Sequence, residues 1–204
     1  MWCWLSSFTV DEVTSIIQAF AVAAVAVPAF RGLNSWRVQL LGKKKIELAE
    51  EALVLAYELQ TGIEFARHAA SFTGEGEERP NREQEPEGRR SLNDSYYSRI
   101  SRLADNDEHF ARLRTLRMLF RAYFGDEAQE AFKTFITTRN QISIAVGMLI
   151  NRTDQPGYPQ NLIDNYQNVI WDHSTDEAPD ELSQTINDAV AEIERVCKPV
   201  LTKQ

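Results

Sequence analysis

The chain of 204 residues contains little cysteine and histidine and lacks the short motifs of the common enzyme classes. Its 2 cysteines have neither redox nor zinc-site spacing, and none of its 3 histidines has a second histidine or cysteine at metal-ligand spacing. Phosphate-binding loops, dinucleotide fingerprints, nucleophile elbows and HExxH motifs are also absent. We therefore expect no catalytic residue, no metal and no cofactor, and the sequence does not favour an enzyme.

Basic residues are too few and too scattered for a nucleic-acid surface. The formal net charge is −8, and the segment 172–194 carries eight acids without a lysine or arginine. Nucleic-acid binding requires a concentrated basic face. The arginines between 112 and 121 alternate with apolar residues on a predicted helix, which indicates a solvated or salt-bridged face. We expect no nucleic-acid partner.

The most informative positive feature is an uncharged run of 18 residues from Val13 to Phe30. Such a run is close to the minimum that crosses a bilayer as a helix, so it predicts a transmembrane anchor. A cleaved signal peptide is less favoured, because Asp11 and Glu12 stand where basic residues would be expected. A buried core helix is the other alternative, since the run is short and rich in alanine.

The charges that flank this run predict its orientation. Basic residues follow the run and none precedes it, so the N-terminus should lie outside and residues 31–204 in the cytoplasm. Cys3 and Cys197 would then lie on opposite sides and not pair. Indoles and cations near the two interfaces should contact the lipid bilayer: Trp2, Trp4, Arg31, Trp36, Arg37, Lys43, Lys44 and Lys45.

The remaining chain has helical periodicity and no convincing strand, which predicts an all-α fold. The anchor helix should continue into a long amphipathic helix, which then packs with an antiparallel helical bundle. The intervening loop has no apolar residue larger than proline, so we expect nothing to offset the entropy of ordering it. The predicted parts are a membrane anchor at 1–34, the amphipathic helix at 35–72, a flexible loop at 73–91 and the bundle at 92–204.

Within the bundle, helices are expected near 92–104, 107–124, 126–151 and 161–171, with a last helix that ends at Pro199. Asn106 or Asp107 should cap the second of these helices, and Gly125 should terminate it. Pro199 should end the last helix, because proline cannot donate a backbone hydrogen bond.

Arg139 interrupts the apolar stripe of the third bundle helix, between Phe132 and Ile142. A buried guanidinium needs a carboxylate partner, because desolvation of an unpaired charge is costly. One interpretation is an arginine whose stem packs while its head reaches water or an acid at the domain edge. The other is a polar centre that binds an anion inside the bundle.

Four segments, in this order and over most of the chain, resemble an uncharacterised family of bacterial proteins with one membrane span. They are the apolar run with WRVQLLGKKKIELAEEALVLAYE (36–58), SFTGEGEERP (71–80), HFARLRTLRMLFRAYFGDEAQEAFKTFITTRNQISIAVGMLI (109–150) and INDAVAEIERVCKP (186–199). The resemblance implies attachment to the bacterial inner membrane and a cytoplasmic helical domain. The family has no established activity, so the resemblance assigns no functional residue.

These observations leave three functional hypotheses. The favoured one is a membrane-anchored, non-catalytic interaction or scaffold module that binds another protein or forms a homo-oligomer. The second is a helical bundle that senses a small ligand or anion, or acts as an enzyme, around Arg139. The third is a soluble oligomer in which the N-terminal helix is buried.

Overall fold

A computed structural model describes residues 10–126, 129–152, 157–175 and 178–202 of the chain. Side chains at 10–13, 16, 23 and 25–30 lie outside that description, as do Trp2 and Trp4 of the predicted membrane interface. Within the described ranges every regular element is a helix, which confirms the all-α prediction. A short 3₁₀ turn at Arg82–Gln84 accompanies the helices α1 Val10–Arg67, α2 Glu87–Ala104, α3 Asp107–Phe124, α4 Glu130–Arg152, α5 Gln160–Ile170 and α6 Glu181–Thr202.

The chain divides into two compact units, 1–45 and 46–204, and α1 contributes to both. In the first unit, α1 exposes large apolar side chains, including Ile17, Phe20 and Val22. No helix in the part that the structure describes is both long and apolar enough to span a bilayer. The transmembrane helix predicted from Val13–Phe30 is therefore without support from the described residues, and the side chains at 25–30 of that run lie outside them.

The core of the second unit forms around α4, which packs against α2, α3, α5 and α6. The apolar stripe predicted for this helix is buried at every described position. The Phe120 ring of α3 meets the Phe132 ring of α4 edge to face, with centroids 5.0 Å apart. The C-terminal half of α1 adds Leu48, Leu55 and Leu59 to the same core. Burial of these stripes accounts for the bundle.

Two helix ends test the expected signals. α3 begins after Asn106 and ends before Gly125, as predicted, and Gly125 adopts a positive φ of 98°. The Asn106 side chain does not cap α3; its amide donates to the Arg102 carbonyl instead, at 3.0 Å. The prediction that Pro199 ends α6 is wrong, because the helix continues to Thr202. A proline so near a helix end removes only one backbone hydrogen bond.

The segment predicted as a flexible loop has contacts that its composition did not indicate. Arg79 is buried and forms ion pairs with Glu85, at 2.5 Å, and with Asp94. Arg82 donates to the same Asp94 carboxylate at 2.9 Å. Charged side chains, not apolar ones, therefore offset the cost of ordering this segment. Its mobility stays a prediction.

Candidate functional site

The predicted membrane-interface residues that the structure describes all lie on α1, in the part of that helix that belongs to the first unit of the chain. Trp36 is 62% exposed, and Arg31, Arg37, Lys43 and Lys45 are exposed as well. Lys44 is half-buried. These side chains lie on a surface where an external partner can reach them.

Arg139 lies at the edge of the second unit and not at its centre. Its side chain is 28% exposed and pairs with the exposed Asp107. The guanidinium carbon lies 4.9 Å from the centroid of the Phe110 ring. This geometry matches the first of the two interpretations of Arg139, in which the aliphatic stem packs against the bundle and the guanidinium reaches an acid at the domain edge.

Sequence analysis missed a set of arginines that are buried. Three of them, which we call the arginine clasp, surround the C-terminal end of α1: Arg67, Arg99 and Arg102, each no more than 2% exposed. Arg102 donates to the Phe65 carbonyl in the last turn of α1 at 3.0 Å and to the Ala70 carbonyl beyond the helix at 2.6 Å. Arg99 donates to the His68 carbonyl, also beyond the helix, at 2.6 Å. The last carbonyls of a helix lack intrahelical partners and carry partial negative charge. The clasp supplies both donors and positive charge there.

The two α2 arginines of the clasp differ in how their charge is balanced. Arg102 forms two hydrogen bonds of 2.7 Å to the Glu75 carboxylate. Hydrogen bonding from Arg102 holds the pKa of Glu75 below its usual range. Arg99 instead lies 3.9 Å from the centroid of the Trp171 ring, a cation–π contact. Burial, together with the nearby Arg102, lowers the pKa of Arg99 to about 10.

Arg67 joins α1 to α5 and α6. Its guanidinium donates to both oxygens of Asp180, at 3.1 and 2.6 Å, and to the Ser183 hydroxyl at 2.8 Å. It also donates to the Trp171 carbonyl at 2.6 Å. Burial alone would raise the pKa of Asp180, but hydrogen bonds, chiefly from Arg67, outweigh it and hold the pKa well below its usual range. The guanidinium donors of the clasp are thus largely occupied by the protein itself, which makes the clasp a structural joint.

One sequence signal points to the clasp. Arg99 falls on the same α2 stripe as the buried Tyr96 and Leu103, three and four residues away. A charged residue on a buried stripe indicates a partner elsewhere in the fold. The prediction of a buried charge named Arg139 and did not name Arg99.

A second feature is a cleft of about 1090 Å³ between α4, α5 and α6. Hydroxyl and amide side chains line it from α4, and Asn165 and Asn168 line it from α5. Acids, a threonine, Leu182 and Ala189 line it from α6, and Lys133 adds a cation from α4. The residues of the two long walls are Thr134, Thr137, Thr138 and Gln141 on α4, and Glu181, Thr185, Asp188 and Glu192 on α6.

The acids of this cleft differ in their partners. Glu130 approaches Lys133 at 3.7 Å, and Glu192 pairs with Arg195 at 2.5 Å. Asp188 accepts a hydrogen bond from the Gln184 amide at 2.7 Å, and neither Asp188 nor Glu181 has an ion pair within the part of the chain that the structure describes. No group of three or more metal-ligating side chains occurs among the described residues. The lining of the cleft is therefore mixed, with apolar and polar side chains and charges of both signs.

Comparison with family models, curated proteins and solved structures finds no match for this chain. The resemblance to bacterial single-span proteins consequently stays a prediction.

Proposed function

We propose that the protein is a membrane-anchored helical module that binds another protein or a second copy of itself and is not an enzyme. The observation that carries this proposal is the uncharged run Val13–Phe30 with cations only on its C-terminal side. The exposure of Ile17, Phe20 and Val22 supports it, because apolar side chains without a protein partner favour lipid or another helix.

The proposed location is the bacterial inner membrane, with the N-terminus outside and the helical bundle in the cytoplasm. The exposed cations from Arg31 to Lys45 support this orientation, since each contributes on the order of 1 kcal/mol near an anionic leaflet. The exposed Trp36 indole fits the headgroup region on the same side. The bundle of residues 46–202 would then present its surface to a cytoplasmic partner.

Fractionation of cells tests the anchor with one variant and a matched control. The full chain should sediment with membranes, resist a high-salt wash and require detergent for release. Phe20→Lys places a charge inside the run, which costs about 3 kcal/mol in a lipid environment, and should shift protein to the soluble fraction. Leu41→Lys, also at an exposed apolar position of α1 but outside the run, should not.

The same variant distinguishes the soluble oligomer. Chain found in the soluble fraction without detergent would refute the anchor. If Phe20→Lys also dissociated a soluble oligomer, the N-terminal helix would instead be buried between subunits.

Labelling in spheroplasts tests the orientation. Cys197 is buried, and burial raises the pKa of its thiol to about 12, so it should not react in the folded protein. Cys3 is the other cysteine of the chain and should react with a membrane-impermeant maleimide from outside. Cys3→Ser should abolish that label. Labelling only after the membrane is opened would refute the proposed orientation.

A further inference from the structure

Among the described residues, Arg99 of the arginine clasp carries a buried positive charge that pairs with no carboxylate. Its guanidinium donates to carbonyl and hydroxyl oxygens, and its face lies against the Trp171 ring. The nearby Glu75 carboxylate is bound by Arg102 through two hydrogen bonds. Two guanidinium groups thus share one carboxylate, and the surplus positive charge lies at Arg99. A buried charge without a counter-ion is costly, so this position favours an added anion.

The Nε atom of Arg99 is a separate observation at the same place. It is buried, and its N–H has no hydrogen-bond acceptor within the part of the chain that the structure describes. The equivalent atoms of Arg67 and Arg102 do donate, to the Val169 carbonyl and to Glu75. Arg99 is therefore the clasp arginine that combines an unpaired charge with an unsatisfied donor.

Of the serine hydroxyls beside this guanidinium, that of Ser71 is accessible. Ser71 accepts a hydrogen bond from Nη1 of Arg99 at 3.1 Å, and Ser98 accepts one from the same nitrogen. The Ser95 hydroxyl oxygen lies 3.5 Å from that of Ser71. Ser98 is buried and Ser95 is half-buried, both on α2, whereas Ser71 lies in the segment 68–74, which is exposed throughout and belongs to no helix. An enzyme can therefore reach the Ser71 hydroxyl.

We propose that Ser71 is a phosphorylation site. Its Oγ attacks the γ-phosphorus of ATP bound by a protein kinase, so the bond from Oγ to phosphorus forms as the bond from phosphorus to the β–γ bridging oxygen breaks. ADP leaves, and the hydroxyl proton passes to a base of the kinase. The phosphate carries about two negative charges at neutral pH. Because Ser71 Oγ already lies 3.1 Å from Nη1 of Arg99, these charges arise beside the unpaired guanidinium.

Phosphorylation fastens the segment 68–74 to α2. Arginine–phosphate pairs join opposite charges and are frequently bidentate, whereas Arg99 now makes a single bond to a neutral Ser71 hydroxyl. Glu75 is the acid that opposes this attraction, and its two bonds from Arg102 offset its charge. Because Ser71 lies just beyond the end of α1, the added charge strengthens the clasp between α1 and α2.

Phosphoserine encoded at Ser71 of the full-length chain tests the electrostatic part of the proposal. Phosphorus NMR should show a second acid dissociation of this phosphate about tenfold stronger than that of phosphoserine encoded at Thr73, because a nearby opposite charge favours the dianion. Thr73 is the matched control, since it is exposed in the same segment. Arg99→Met should remove the difference. The melting temperature should also rise with phosphoserine at Ser71 and not at Thr73, which keeps the test valid if Arg99→Met fails to fold.

The modification itself is tested with an extract of the cells that produce the protein. Incubation of the full-length chain with this extract and labelled ATP should transfer label to it, and peptide mapping should assign the phosphate to Ser71. Ser71→Ala should abolish the label. Ser95→Ala removes the neighbouring half-buried hydroxyl and should retain the label.

Two results would overturn the proposal. The first is absence of phosphate on Ser71 both after incubation with the extract and in protein isolated from its own cells. If inorganic phosphate, but not chloride, then raised the melting temperature of the unmodified chain, the site would take a free anion instead. The second is equal acid dissociation of the phosphates encoded at Ser71 and Thr73, since that would show that Arg99 does not bind the phosphate.

Discussion

Arg67, at the end of α1, donates to both carboxylate oxygens of Asp180, 113 positions later in the chain. The same carboxylate accepts the backbone N–H of Ser183 at 2.8 Å, so it also caps the first turn of α6. Asp180 thus caps the N-terminus of α6 and also pairs with the Arg67 guanidinium at the C-terminal end of α1.

Asp180→Asn should lower the free energy of unfolding by about 3–5 kcal/mol, because it leaves the buried Arg67 charge without a partner. Asparagine retains one capping oxygen, but its NH2 group replaces the oxygen that accepts from Arg67 and His173, so the change removes the charge together with these hydrogen bonds. Denaturation by urea measures the effect. Asp107→Asn is the matched control, since its pair with Arg139 is partly exposed and should contribute no more than about 1 kcal/mol. Equal losses in the two variants would contradict the assigned role of Asp180.

Stability should fall in acid more steeply than net charge alone implies. Asp180 and Glu75 have pKa values that the fold lowers, so their contribution is complete above their unfolded pKa values of about 4. It is lost as the pH decreases through the lower folded values. Urea denaturation at several pH values should show the wild type converging on Asp180→Asn below about pH 4. A constant difference between them down to pH 2 would refute the linkage.

Gly76→Ala should destabilise the protein much more than Gly74→Ala. Both glycines have a positive φ, 81° and 87°, so both changes introduce backbone strain of about 1–2 kcal/mol. Only at Gly76 would the new Cβ also meet the Asp94 carbonyl oxygen, at 2.1 Å, whereas the space at Gly74 is open. Thermal unfolding of the two variants measures the difference. Similar melting temperatures would mean that the contact between residue 76 and α2 is not maintained in solution.

Arg139→Met and Arg99→Met compare an edge arginine with a clasp arginine. Loss of Arg139 should change stability by no more than about 1 kcal/mol, because its pair is partly exposed. Loss of Arg99 should cost about 1–3 kcal/mol, because this side chain is fully buried and donates to the Ala69 carbonyl, whereas the His68 carbonyl keeps Arg102 as a donor. Urea denaturation provides both values. A loss at Arg139 as large as that at Arg99 would revive the idea of a polar centre at Arg139.

Local signals predicted much of the secondary structure. α3 begins after Asn106 and ends at Gly125 as expected, since its apolar stripe and its terminal glycine agree. Pro199 misled the prediction for α6, because a helix tolerates proline near its end when few hydrogen bonds remain to be lost. These outcomes depended on residues close in sequence.

The buried polar contacts were not predictable in the same way. Arg67 and Asp180 are far apart in the chain, and no local pattern identifies them as partners. The threonines on the cleft side of α4 carry no distinguishing pattern in the sequence, and only the fold brings them opposite α6. The charged segment near Arg79 was predicted to be flexible because it lacks apolar residues. That reasoning leaves out the stabilisation that buried ion pairs provide.

Two arginines of the clasp bind main-chain oxygens of the segment that follows α1, in addition to side chains such as Glu75. Arg99 donates a hydrogen bond to the His68 carbonyl and Arg102 donates one to the Ala70 carbonyl, whereas the side chains of His68 and Ala70 are exposed. Substitutions of His68 and Ala70 should therefore be tolerated more readily than substitutions of Arg99 and Arg102. Related sequences should vary at positions 68–70 and retain the two arginines, which are three residues apart in α2.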